Sequence, residues 1–176
     1  HAFIPYGAYW CTAFCRWQGS FAQKNSVQFA AEVARTQLAR RSIAPTSLDG
    51  VHLGVTIPQQ GSFYGAPWFA GMLGAPELTG PTVSQACATG ARILAGAGQA
   101  IEAEPTSAVL IVTADRTSNG PQILYPNPAG PGGAGDTEHW VLDNFGRDPW
   151  AKMAMVDTAE NVAAAHGISR AEQDDV

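Results

Sequence analysis

"PTVSQACATGARILAGAGQAI", residues 81–101, sets Cys87 between a short β-like run and a helix dense in alanine and glycine. The first turn of a helix carries backbone N–H groups without intrahelical partners, at the positive end of the helix dipole. A cysteine there has its sulfur where an anion is favoured, and the thiolate is the nucleophilic form. The strand-to-helix turn also holds the side chain at the rim of a sheet, where a substrate can approach. The helix behind it, 87–102, contains Gly90, Gly96 and Gly98, each costing roughly 1 kcal/mol relative to alanine. Such a cost is tolerated where backbones pack closely, which places this helix in the middle of the fold. Position alone leaves a second reading equally open, because most free cysteines are small buried hydrophobes.

Working outward, "TVSQA" (82–86), "GVHLGVTI" (50–57) and "SAVLIVTA" (107–114) are apolar, β-branched runs that read as strands. "NSVQFAAEVARTQLARR" (25–41) places Val27, Ala30, Ala31, Ala34, Leu38 and Ala39 at helical spacing, with Asn25 or Ser26 as cap. "GAPWFAGMLGAP" (65–76) is a second helix, bracketed by Gly and Pro. Strands alternating with helices predict an α/β sheet covered on both faces. After residue 118 the character changes. Residues 119–140, full of Pro and Gly, predict a long irregular excursion. Helical pattern returns at 151–166, with Asp157 and Glu160 spaced as a capping box, and Ser169 with Glu172 announces a further helix. The chain stops about two turns later, where a helix is marginal on its own, so it reads as a fragment.

Bulk composition narrows the function classes. The 176 residues are 45% hydrophobic and 14% charged, with a formal net charge of −5. That balance fits a soluble globular protein and disfavours nucleic-acid or anionic-membrane surfaces, which want basic patches. No apolar run reaches the ~18 residues of a membrane span. Three cysteines, Cys11, Cys15 and Cys87, make an odd count without a disulfide framework, so reduced thiols in the cytoplasm are expected. The three residues between Cys11 and Cys15 do not make a usual zinc hook, and no metal is expected.

The segment around Cys87 resembles the nucleophile segment of thiolases, in which a reactive Cys, a small residue, Ser or Thr, and Gly open a central helix; here these are Cys87, Ala88, Thr89 and Gly90. Ketosynthase-type condensing enzymes share that feature. "TAENVAAAHGISRAEQDD" (158–175) resembles the thiolase loop-domain segment and separates the two groups. Weaker likenesses run in the same order at 11–21, 43–54 and 113–121. The resemblance implies a thiolase-like fold: an α/β domain at 1–118, with a mixed five-stranded sheet layered by helices, then the start of a CoA-covering loop domain at 119–176. It implies Cys87 as acyl-thioester nucleophile, in Claisen condensation or thiolysis of 3-ketoacyl-CoA. Coenzyme A thioesters would be the substrates, with no separate cofactor.

The same resemblance implies a histidine base, a second cysteine and an oxyanion-site asparagine in a second half that these residues do not include. That half is expected as a separate chain or a missing segment, and this chain alone is expected to be inactive. Of the four histidines, His1 is terminal, His52 leads into a strand, His139 lies in the excursion and His166 ends a helix. None is expected to serve as the base. Met155 matches the methionine of a His-Met-Gly string common in acetoacetyl-CoA enzymes and would line the acyl or pantetheine channel; an ordinary core methionine is the other reading. Ala154 and Val156 replace its neighbours, and Cys11, Thr12 and Ala13 stand where Arg-Thr-Pro is usual. A homo-oligomer, dimer or tetramer, is implied, with the sheet edges and the 65–76 helix near the interface. The alternatives are a ketosynthase-like enzyme or a non-catalytic assembly subunit of the same fold.

Overall fold

The apolar runs at 50–54 and 109–113 pair with each other along their whole length. In a computed structural model describing residues 1–104 and 108–176, β1 (Gly50–Gly54) lies parallel to β3 (Val109–Thr113), with Val51 opposite Leu110 and Leu53 opposite Val112. The first residue of the expected 107–114 strand lies outside the described residues. The opposite edge of β1 takes β2 (Thr82–Val83), also parallel, giving the order β2-β1-β3. β2 is far shorter than the 82–86 run suggested. Gln85, at φ −144 and ψ 43, and Ala86, at φ +45, turn the chain out of the extended conformation soon after Val83, while Gly80, just ahead of the strand, has φ +155, where a Cβ would stand 1.8 Å from the Val51 carbonyl oxygen. The pairing nevertheless runs on past the strand, through Val51 N–H to Thr79 C=O and Val55 N–H to Val83 C=O, at 3.0 and 3.1 Å.

Side chains alternate across β1, and each face has its own cover. Val51 and Leu53, both fully buried, join Leu110 and Val112 against α1 (Ser26–Arg40) and α2 (Ala66–Leu73). α1 contributes Val27, Ala31, Ala34 and Leu38, a single helical stripe, and α2 contributes Phe69, Ala70 and Leu73. Ala39, expected on that stripe, is exposed. Asn25 caps α1: its side-chain oxygen accepts the N–H groups of Val27 and Gln28 at 3.1 Å, while its amide donates to Gln60 C=O at 2.7 Å. On the other face lies α3 (Thr89–Ala103), which buries Thr89, Ile93 and Ala97. Gly54 lets it approach: a Cβ there would meet Thr89 Cγ2 at 2.7 Å and the Ile93 and Thr113 methyls at 3.2 Å.

The chain divides into two compact units, 1–120 and 121–176. The expectation of one five-stranded sheet is corrected here. Among the described residues, the first unit's sheet has three strands, and the other two form a separate antiparallel pair, β4 (Gln122–Tyr125) and β5 (Asp136–His139). These strands fall inside the expected irregular excursion; Pro126, Pro128 and Gly130 confine the irregularity to the connection between them. α4 (Leu142–Gly146) follows, then α5 (Met155–His166) and α6 (Arg170–Asp174). The Asp157–Glu160 box is also corrected. α5 begins at Met155, and Asp157, in its first turn, reaches back to accept the Ala154 N–H at 3.0 Å. Ser169 and Glu172 do cap each other reciprocally, at 3.3 and 2.7 Å. Gly167, left-handed at φ +64, ends α5 behind His166.

Two substitutions test this packing by denaturant unfolding. Gly54→Ala, which pushes a methyl into the seat of α3, is expected to cost about 1–3 kcal/mol. Asn25→Ala, which removes the α1 cap, is expected to cost about 1 kcal/mol.

Candidate active site

Cys87 is exposed and lies in a single turn of 3-10 helix, Ala86–Ala88, directly ahead of α3. The α-helix therefore starts at Thr89, two residues later than the sequence suggested. The reason is local backbone geometry. Gln85 has φ −144 and ψ 43, and Ala86 has φ +45, a left-handed conformation that residues with a Cβ rarely adopt. Strain of that kind persists only where surrounding bonds over-determine it. The Thr89 hydroxyl supplies them: it accepts the Gln85 N–H and donates to the Ala86 carbonyl, both at 2.7 Å. Thr89 is 4% exposed, so these bonds are made away from competing water. Ahead of α3 no side chain caps the helix, and its first turn holds no acidic residue. The turn itself engages the first N–H groups, Ala88 N–H going to the Gln85 carbonyl at 3.0 Å and Thr89 N–H to the Ala86 carbonyl.

Because β2, β1 and β3 are parallel, the chain leaves all three at the same edge. β2 leads to Cys87, β1 to Thr56 and β3 to Asp115. The Thr56 hydroxyl lies 3.1 Å from the Thr89 hydroxyl and 3.3 Å from the Ala86 carbonyl. The Asp115 carboxylate accepts the backbone N–H groups of Thr56 and Ile57, each at 2.9 Å. Asp115 keeps an open side to solvent, yet desolvation of its carboxyl pushes its pKa up, against the backbone hydrogen bonds from Ile57 and Thr56 and a further one from the Thr56 side chain, which lower it. Thr56 and Asp115 were not singled out in the sequence. The available signal was their place as the first polar residues beyond buried parallel strands.

His52 is half-buried on the α3 side of β1, where a Cβ on Gly96 would sit 3.8 Å from its Nδ1, roughly two and a half helical turns beyond Cys87. His1 lies 4.0 Å from Glu102 at an exposed site. In the second unit, His139 Nδ1 accepts the Leu142 backbone N–H at 3.0 Å, and the His139 backbone N–H donates to the Asp143 carboxylate at 2.6 Å, both at the start of α4. His166 stands in the last turn of α5. Met155 opens α5 and is 49% exposed, so it is not a core methionine of the second unit. Cys11 and Cys15 are exposed on the irregular N-terminal segment. Among the described residues no cluster of His, Cys, Asp and Glu could hold a metal ion, and no helix is long and apolar enough to cross a membrane.

The chain is similar to known proteins in sequence and in fold. The family described as "Thiolase, N-terminal domain" matches residues 8–176. The beta-ketothiolase BktB of Cupriavidus necator is 28% identical over 169 residues, covering 93% of this chain and 42% of its own. Among solved structures, the acetyl-CoA acetyltransferase of Bacillus anthracis superposes with a TM-score of 0.79 at 25% identity, over 92% of this chain and 41% of its own. Human mitochondrial 3-ketoacyl-CoA thiolase, solved in complex with CoA, gives a TM-score of 0.79 at 22% identity and shows the shared fold. This chain spans about two fifths of the length of each. A parallel sheet delivering Cys87 to one edge, ahead of a buried Thr89 and a closely packed helix, is thus the amino-terminal α/β unit of the thiolase family, and the chain belongs to that family.

Proposed function

We propose that Cys87 is the nucleophile of a thiolase-type acyl-CoA acyltransferase. The observation that carries this reading is an exposed cysteine, at the shared edge of three parallel strands, ahead of a 15-residue helix without a side-chain cap. In the proposed reaction the Cys87 thiolate attacks the carbonyl carbon of an acyl-CoA thioester. The new C–S bond forms at Cys87, the C–S bond to CoA breaks, and CoA leaves as a thiolate that takes up a proton. The acyl group then passes to a carbanion in the synthetic direction, or back to CoA in thiolysis. We assign stabilisation of charge near the reacting sulfur to the positive end of the α3 dipole.

We do not assign the base that takes the thiol proton to His1, His52, His139 or His166. We assign that role, and the second acid/base group, to a second α/β half of the kind that makes up the remaining length of the relatives. The unit 121–176 is proposed to cover CoA, with the half-exposed Met155 lining the acyl or pantetheine channel. Two copies are proposed to associate beside β2, whose outer side is unpaired among the described residues. Near it Phe63, Tyr64 and Trp68 form an edge-to-face ladder that remains 88, 61 and 39% exposed. Free cysteines fit a reducing, cytoplasmic setting. A thiolase match over 8–176 favours this reading over a ketosynthase-like enzyme.

Iodoacetamide labelling tests the assignment. Cys87 is expected to label faster than Cys11 and Cys15, and acetyl-CoA is expected to slow Cys87 alone. Equal rates at the three cysteines, without protection, would leave a non-catalytic role for the fold.

A further inference from the structure

We propose that Asp115 is a positioning residue for Cys87, acting through Thr56; this rests on the reading of Cys87 as nucleophile. The contacts form one path across the carboxyl edge of the sheet. Leaving β3, Asp115 fixes residues 56 and 57 at the exit of β1 through two backbone N–H bonds of 2.9 Å. That places the Thr56 side chain against both atoms that define the Cys87 turn, the Thr89 hydroxyl at 3.1 Å and the Ala86 carbonyl at 3.3 Å. Each threonine hydroxyl has a single proton, and that of Thr89 already goes to Ala86. The Thr56 hydroxyl also hydrogen-bonds the Asp115 carboxyl, so Asp115 holds Thr56 in place by backbone and side chain alike.

The target of this path is strained. Ala86 holds φ +45, and a residue with a Cβ relaxes out of that region once the groups facing its carbonyl move. Since Ala86 adjoins Cys87, relaxation there swings the sulfur. Asp115→Ala leaves two backbone donors without their acceptor and frees residues 55–57. Asp115→Asn retains an oxygen in the same place. Thr56→Val removes the hydroxyl contact with the turn, and Thr56→Ser keeps it.

The test is the iodoacetamide rate of Cys87 relative to Cys11 and Cys15 in the same chain, with the thermal midpoint measured on each variant. Cys11 and Cys15 belong to the N-terminal segment, outside this path, and serve as internal standards. Asp115→Ala and Thr56→Val are expected to lower the ratio about tenfold, while Asp115→Asn and Thr56→Ser stay within about twofold of the parent. A merely structural role would shift the midpoint and leave the ratio alone. A folded Asp115→Ala variant with the parent's ratio overturns the proposal. So does Asp115→Asn falling as far as Asp115→Ala, since charge rather than backbone acceptance would then be at work. Should Asp115→Ala fail to fold, the Thr56 pair decides, and equal ratios for Val and Ser overturn it. A parent chain whose Cys87 reacts no faster than the standards defeats the nucleophile reading instead, which keeps the two failures distinct.

Discussion

Parallel pairing is the constraint on which this site depends. An antiparallel neighbour would send its chain out at the far edge of the sheet, whereas β2, β1 and β3 all end on one side. Three segments distant in sequence are thereby delivered to one place: the Cys87 turn, Thr56 and Asp115. The buried Thr89 hydroxyl converts that convergence into a defined backbone, because it serves both the Gln85 N–H and the Ala86 carbonyl. A left-handed alanine beside the reacting sulfur is tolerable only in that grip.

Close packing of α3 carries the same geometry downward into the core. Thr89 is simultaneously the first residue of α3, a buried contact to the sheet and the clamp on the turn. Its methyl lies where a side chain on Gly54 would have to go, so the height of the helix above β1 and the position of the turn are set together. The glycines of α3 itself are not what permits this approach, contrary to expectation: a Cβ on Gly90, Gly96 or Gly98 would meet neighbours only at 3.8–4.0 Å, and α3 buries just Thr89, Ile93 and Ala97 rather than lying in the middle of the fold. Burial on the opposite face, through Val51 and Leu53 against α1 and α2, fixes the register of β1 and with it the place of Thr56.

Much of this was legible in the residues. The strands at 50–54 and 109–113, the helices beginning at Ser26 and Ala66, the Asn25 cap and the Ser169–Glu172 box all follow from local periodicity and capping chemistry, which act over a few residues. The resemblance around Cys87 and at 158–175 pointed to the family itself. What stayed hidden depends on geometry between segments. The start of α3 at Thr89 rather than Cys87 follows from the left-handed Ala86, and an alanine gives no signal of positive φ. Thr56 and Asp115 acquire meaning only once parallel pairing brings their strand ends together. The β4–β5 pair was obscured because Pro and Gly dominate the stretch that connects it, masking two four-residue strands on either side.

In the proposed function one sulfur, that of Cys87, accepts the acyl group because the sheet and the turn present it. Peptide mass mapping after acetyl-CoA is incubated with the protein carrying its second half measures this most directly. An acetyl thioester, removable by hydroxylamine, is expected on the peptide that contains Cys87 and not on those containing Cys11 and Cys15. Acetylation spread evenly over the three cysteines, or confined to the exposed pair in the N-terminal segment, would contradict it.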